Sequence, residues 1–214
     1  MKYKKTAAPG TPVYRPHPVL PNGAQAHEVR IIGGQYKRSK LPVANKPGLR
    51  PTPDRVRETL FNWLGQDLPG WRCIDVFAGT GALGFEAASR GAAEVLLCEQ
   101  DAGLVAQLKT VQLKLQANMV KIERGDGIAL LRRQSSGSMQ LVLLDPPFDS
   151  PLFEAALKAA AQVVANAGYI YLEAPRAWSD EALAAYGLRV HRSGRAGGVF
   201  FHLLVRNGGL AVPA

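Results

Sequence analysis

Cysteine is nearly absent from this chain of 214 residues: only Cys73 and Cys98 occur, both inside apolar runs. Two such thiols exclude a disulfide framework and a cysteine-rich zinc site, and suit small buried side chains in a reducing compartment. The four histidines, His17, His27, His191 and His202, lack the spacing of metal ligands, so no metal is expected. No apolar run reaches membrane-spanning length, and the N-terminus lacks the apolar core of a signal peptide. A soluble, cytoplasmic protein with no membrane partner is therefore expected. No internal repeat occurs.

Acidic residues are scarce at the front. Residues 1–57 hold twelve Lys or Arg against Glu28 and Asp54, while the other 157 residues are close to neutral, so the +9 of the chain sits ahead of Glu58. A localised cationic arm is the electrostatic footprint of a polyanion partner, most often nucleic acid; a solvated tail is the plainer alternative. Residues 1–27, with five prolines and few large apolar groups, read as a disordered tail. Residues 28–50 read as a basic β-hairpin turned at Gly33-Gly34, with Arg30, Lys37, Arg38, Lys40 and Arg50, joined by Arg55, as candidate RNA contacts. Residues 51–214 form the main domain; the 47% hydrophobic content of the whole chain suffices for one core. Its first helix is expected to have Thr52 as N-cap and Pro53 in its first turn. Val56, Leu60, Trp63 and Leu64 should face inward and Arg55, Arg57 and Glu58 outward.

The chain is organised around residues 72–84, where Cys73, Ile74, Val76 and Phe77 predict a buried strand and Gly79, Gly81 and Gly84 a G-x-G-x-x-G turn into a helix. Strand, glycine turn and helix are the nucleotide-binding geometry of a doubly wound sheet. Asp75 stands four positions before the first glycine. A pyrophosphate beside that carboxylate would meet a like charge, a repulsion of several kcal/mol at intermediate dielectric (roughly). S-adenosylmethionine, with its ammonium and sulfonium, fits better than a dinucleotide. Glu99 ends the second strand 20 residues after Gly79, where an acid receives ribose hydroxyls, and Asp126, before Gly127, is placed for an adenine amine or for a plain turn. The candidate donor-binding set is Asp75, Phe77, Gly79, Gly81, Glu99, Gln100, Asp126, Gly127 and Thr52.

Leu141 to Leu144 predict a fourth buried strand that runs into Asp145, Pro146, Pro147 and Phe148. Two prolines cannot continue the ladder, so the chain leaves the sheet at its carboxyl edge with stiffly held carbonyls between a carboxylate and an aromatic ring. An exocyclic amine can donate to such acceptors while its base stacks on the ring. These four residues are the candidate catalytic group. A fifth strand from Gly168 to Pro175 follows, then strands from Leu188 to Arg192 and from Val199 to Arg206, an antiparallel pair turned by Gly194 and Gly197-Gly198.

Asp75-Val-Phe-Ala-Gly-Thr-Gly, Asp145-Pro-Pro-Phe and Arg50-Pro-Thr with Arg57-Glu-Thr-Leu-Phe-Asn-Trp-Leu together resemble the RsmD family of 16S ribosomal RNA guanine-N2 methyltransferases, from about Arg30 to Arg206. The two short motifs are shared by many amino-methyltransferases; the Arg-Ile-Ile-Gly-Gly stretch and the Arg-Pro-Thr helix are more specific. The resemblance implies a Rossmann-like, class I fold of seven mostly parallel strands with a C-terminal antiparallel hairpin and a small N-terminal hairpin. It also implies S-adenosylmethionine-dependent methylation of one guanine, numbered 966 by the family, in a partly assembled 30S subunit, by a monomer. An adenine-N6 DNA methyltransferase, an NAD-dependent oxidoreductase and a non-enzymatic RNA-binding protein are the alternatives.

Overall fold

A computed structural model describes residues 28–46 and 48–209; the tail 1–27 lies outside them. Strands β1 (Glu28–Arg30) and β2 (Lys40–Pro42) precede helix α1 (Asp54–Trp63). Next come β3 (Arg72–Asp75), α2 (Ala82–Ser89), β4 (Glu94–Glu99), α3 (Ala102–Leu115), β5 (Val120–Arg124) and α4 (Gly127–Arg132). The chain closes with β6 (Met139–Leu144), α5 (Leu152–Val163), β7 (Val164–Ala174), α6 (Asp180–Ala184), β8 (Leu188–Ala196) and β9 (Val199–Arg206).

Seven strands form one sheet in the order β5-β4-β3-β6-β7-β9-β8. The first five run parallel, and β9 inserts antiparallel between β7 and β8. The apolar strand runs bury both faces, as parallel sheets require. One layer packs α1, α2 and α3 against residues such as Cys73, Leu141, Tyr171 and Leu203; the other packs α4, α5 and α6 against Ile74, Val142, Ile170 and Leu204. The order reverses between β3 and β6, and their carboxyl ends open the crevice where such sheets bind ligands.

The expected N-terminal hairpin is present, and it packs onto the α1-side layer. Ile31 and Leu41 are fully buried in the α1-side layer. The expected turn glycines lie in the 31–39 connection, which rests on the end of α2. Gly34 has φ +70°, and a Cβ there would stand 1.8 Å from the Ser89 carbonyl oxygen, so only glycine fits. Glu86, wholly buried on α2, accepts hydrogen bonds from the backbone N–H of Ile32 and Gly33 (both 2.8 Å), from Arg57 (3.2 Å) and from Arg90 (2.9 Å).

Arg57 corrects the sequence reading. It does not face outward with Arg55 and Glu58 but is fully buried, donating to the carbonyls of Thr52 and Arg30 and to Asp54 and Glu86. Its position adjoins the inward stripe of Val56, Leu60 and Phe61, and four acceptors offset the cost of desolvating the cation. Thr52 is not the N-cap either: Pro53 holds that place, and the Thr52 hydroxyl is spent elsewhere. Two strands are longer than expected. β7 starts at Val164, and β8 continues through Gly194 to Ala196, so Gly194 is a strand residue. It packs under the Phe201 ring, where a Cβ would come within 2.3 Å. Gly197 and Gly198 alone make the turn.

Glu86→Ala strips Arg57 and Arg90 of their shared carboxylate and is expected to destabilise the fold by about 3–5 kcal/mol, with early proteolysis in 31–39. Urea unfolding measures this. A loss no larger than that of a surface change, about 0.5 kcal/mol, would contradict the docking role.

Candidate active site

The parallel registers place three carboxylates at one rim. Asp75 ends β3 opposite Leu143 of β6; Leu144 of β6 lies opposite Leu172 of β7, so Asp145 and Glu173 are the next positions on neighbouring strands. Adjacent strands stand about 4.8 Å apart, which brings these side chains within mutual electrostatic range.

Asp75 is buried, and its Oδ2 accepts the Gly84 N–H (3.0 Å) while Oδ1 has no partner. Burial pushes its pKa up to about 7, against the lowering effect of the Gly84 N–H, with Glu99 and Glu173 adding repulsion. Asp145 is raised well above the usual carboxylate range by burial and then by Glu173 and Asp75. Glu173 is raised by burial, opposed by hydrogen bonds from the Thr52 hydroxyl (2.6 Å) and the Tyr171 hydroxyl (2.9 Å), both to Oε1. No cation pairs with any of the three among the described residues. Without a cation these three carboxyls hold their protons above the usual range, and a positive group beside the orphan Asp75 oxygen would favour their ionised form.

The glycine loop is shaped for close approach. Gly79 and Gly81 take φ +52° and +78°, and Gly81 leads into α2. A Cβ on Gly84 would collide with Leu97 at 2.1 Å, and one on Gly127 with the Val76 carbonyl at 2.1 Å, so the starts of α2 and α4 press against the ends of β4 and β3. Glu99 accepts the N–H groups of Gly79 (2.9 Å) and Asp101 (2.8 Å), which spans the loop and leaves lone pairs on both oxygens. Asp126 caps α4 through the Ala129 N–H (2.7 Å), so the turn role is met and one oxygen is left over. Gln100 is exposed beside Glu99 and Phe77 is half-buried.

In the second loop Pro146 is buried, Pro147 is exposed, and the Phe148 ring is 36% exposed, one of two large apolar side chains open to solvent among the described residues. The carboxylate of Asp145 takes no hydrogen bond from any described residue.

Residues 29–205 match the family described as Conserved hypothetical protein 95. Ribosomal RNA small subunit methyltransferase D of Escherichia coli (strain K12) is 37% identical over 197 residues, 87% of this chain and 94% of the relative. The chain belongs to the RsmD family. Its Haemophilus influenzae relative of the same name is 44% identical over 133 residues, 61% of this chain and 69% of that one. The solved structure of yhhF from Escherichia coli, 38% identical, superposes with a TM-score of 0.72 over 84% of this chain and 98% of its own. A precorrin-6y C5,15-methyltransferase from Geobacter metallireducens, 16% identical with a TM-score of 0.60, shares the fold alone.

For this RsmD-family chain the residues present fit a cationic methyl donor. The orphan Asp75 oxygen belongs to the strand that runs into the positive-φ glycines, in a carboxylate cluster that would repel a pyrophosphate. Thr52, expected among the donor contacts, is a buried support of Glu173. Glu173 and Tyr171 are absent from the sequence-derived set. The signal was there: Tyr-Ile-Tyr-Leu-Glu173-Ala-Pro175 is an apolar strand ending in an acid and a proline, as Leu144-Asp145-Pro146 is.

Of the expected RNA contacts, Arg30 is paired with Asp54 (2.8 Å) and Lys40 with Glu28 (2.7 Å). Lys37, Arg38, Arg50 and Arg55 are exposed and form no ion pair among the described residues.

Raising pH should expose the cost of the rim. With a folded pKa near 7 against an unfolded value near 3.8, Asp75 holds its proton more tightly when folded, so its ionisation erodes stability as pH rises through that window. Asp75→Asn removes this dependence. Between pH 4.5 and 7.5 the unfolding free energy measured in urea should fall further for the wild type than for the variant, by about 3 kcal/mol; parallel behaviour would contradict the burial of Asp75.

Proposed function

We propose that this protein is an S-adenosylmethionine-dependent ribosomal RNA methyltransferase that modifies the N2 amine of one guanine in the small-subunit RNA, the position the family numbers 966. The natural substrate in this reading is a partly assembled 30S subunit. The observation that carries the proposal is the convergence of Asp75 and Asp145 on adjacent strands at the switch point, beside the exposed Phe148. The relatives named as rRNA methyltransferases support the substrate class.

When bound, S-adenosylmethionine supplies a methyl group activated by a sulfonium leaving group. Asp75, Gly79, Gly81, Glu99 and Asp126 hold it against the loop. The target guanine leaves its stack and rests on Phe148. Asp145 and the Pro146 carbonyl accept hydrogen bonds from N2, turning its lone pair out of conjugation and toward the methyl carbon. Asp145, whose proton affinity burial has raised, would be ionised once the donor's positive charge stands beside it, and would then take the proton that N2 sheds on accepting the methyl group. By holding N2 oriented toward the bound donor, Asp145, Pro146 and Phe148 would contribute most of the acceleration through proximity and orientation.

Asp145→Asn is expected to bind S-adenosylhomocysteine like the wild type while turnover drops about 10²–10⁴-fold. Calorimetry and tritiated methyl transfer to undermethylated small-subunit particles measure the two, and nucleoside mass spectrometry should show N2-methylguanosine. N6-methyladenosine, or a near-normal rate in the variant, would overturn the assignment.

A further inference from the structure

Between Leu188 and Arg206 the chain carries Arg189, Arg192, Arg195 and Arg206 and no acidic residue. This excess vanishes in the near-neutral balance of residues 58–214, yet Arg189, Arg192 and Arg195 lie along the sheet's outer strand, β8, whose far edge pairs with no further strand among the described residues. Arg195 lies opposite Phe200, which lies opposite Ala174, the neighbour of Glu173. The strand therefore reaches the catalytic rim at Arg195. Arg189 sits six residues lower, about 20 Å along the edge.

The bulge in β8 organises this edge. Val190 pairs with Leu204 and Arg192 with Leu203, so one extra residue, His191, interrupts the alternation. Arg189 and Arg192, opposite Val205 and Leu203 of the α1-side layer, thus share a face although three positions apart. Without the bulge they would point to opposite sides. The Arg195 guanidinium lies over the half-buried Phe200 ring at 4.9 Å, with Nε donating to the Gly197 carbonyl (2.9 Å). Arg189, Arg192 and Arg195 are exposed, and none forms an ion pair among the described residues, whereas Arg30 and Lys40 of the N-terminal hairpin are neutralised. Asp180 reaches β8, where it accepts the Val190 N–H.

Charge on an outer strand blocks stray pairing whatever its sign. Arg195 pairs with Phe200, which alternates with Phe201 and Leu203 of the α1-side layer, so it stands on the other face, and the three arginines flank the open edge from both sides. Unneutralised cations of one sign along that edge, one of them held on an aromatic ring at the rim, match a phosphate backbone running along it. From this geometry we infer that β8 is a second RNA-binding edge, on which Arg195, Arg192 and Arg189 contact successive stretches of the substrate backbone as it leaves the active site. The inference rests on the RNA substrate proposed above.

The test compares wild type with two triple variants, Arg189→Gln/Arg192→Gln/Arg195→Gln and the corresponding Arg→Lys set, binding an unmodified small-subunit RNA fragment over a salt series. The Gln set should lose at least about tenfold in affinity, and its log–log salt slope should be shallower by about two, since each phosphate contact contributes about 0.7 to 0.9. The Lys set should keep most of the wild-type slope. S-adenosylhomocysteine binding at the glycine loop after β3, four strands from β8, should match wild type in both and certifies folding. If wild type binds and methylates the RNA and the Gln set has the same slope and affinity, the edge is refuted while the function stands. If wild type neither binds nor methylates RNA, the function reading fails and takes the edge with it.

Discussion

The pairing of β3 with β6 is the constraint on which the site depends. Parallel register fixes Asp75 against Leu143, and the next residues of β6 and β7 after the Leu144–Leu172 pair are then Asp145 and Glu173. A slip of one residue would turn Asp75 into the opposite layer and bring Ile74 to the crevice. The apolar strands around these acids keep water away from them, which is why their pKa values rise together. The sheet therefore stores electrostatic tension at its reactive edge, relieved by any ligand that brings positive charge to Asp75 and amine protons to Asp145.

The N-terminal hairpin enters this account through a short chain of contacts. Glu86 receives the backbone of Ile32 and Gly33 and the side chain of Arg57; Arg57 holds the Thr52 carbonyl; the Thr52 hydroxyl reaches Glu173. One buried arginine thus ties the docked hairpin, the start of α1 and the floor of the active site into one unit. Its acceptors are all satisfied, in contrast to the rim carboxylates, where polar capacity is left for a ligand. Structural ion pairing and site preorganisation lie a single residue apart.

Much of this was legible in the sequence. The glycine triplet, the apolar strands that end at Asp75, Glu99 and Asp145, and the proline pair each have a local cause, and the alternation of strands with helices implies a parallel sheet. Arg57 was misplaced because helical periodicity does not register a cation whose partners come from elements 27 and 29 residues away. Thr52 looked like a cap because a threonine before a proline usually is one; its partner Glu173 lies 121 residues on. The arginines of β8 were hidden by averaging charge over 157 residues, since a strand gathers in space what a running total dilutes. Asp145 and Phe148 were legible from the motif alone; that the Phe148 ring stands open to solvent while Asp145 is half-buried without a partner among the described residues is visible only in the fold.

The central claim is that one rim of the sheet receives both methyl donor and purine. A crystal structure with S-adenosylhomocysteine tests it most directly. The account predicts the amino acid ammonium beside Asp75, the ribose hydroxyls on Glu99, and the sulfur facing the Asp145–Pro146 loop. A ligand bound away from the glycine turn, or with its sulfur directed away from Asp145, would contradict it.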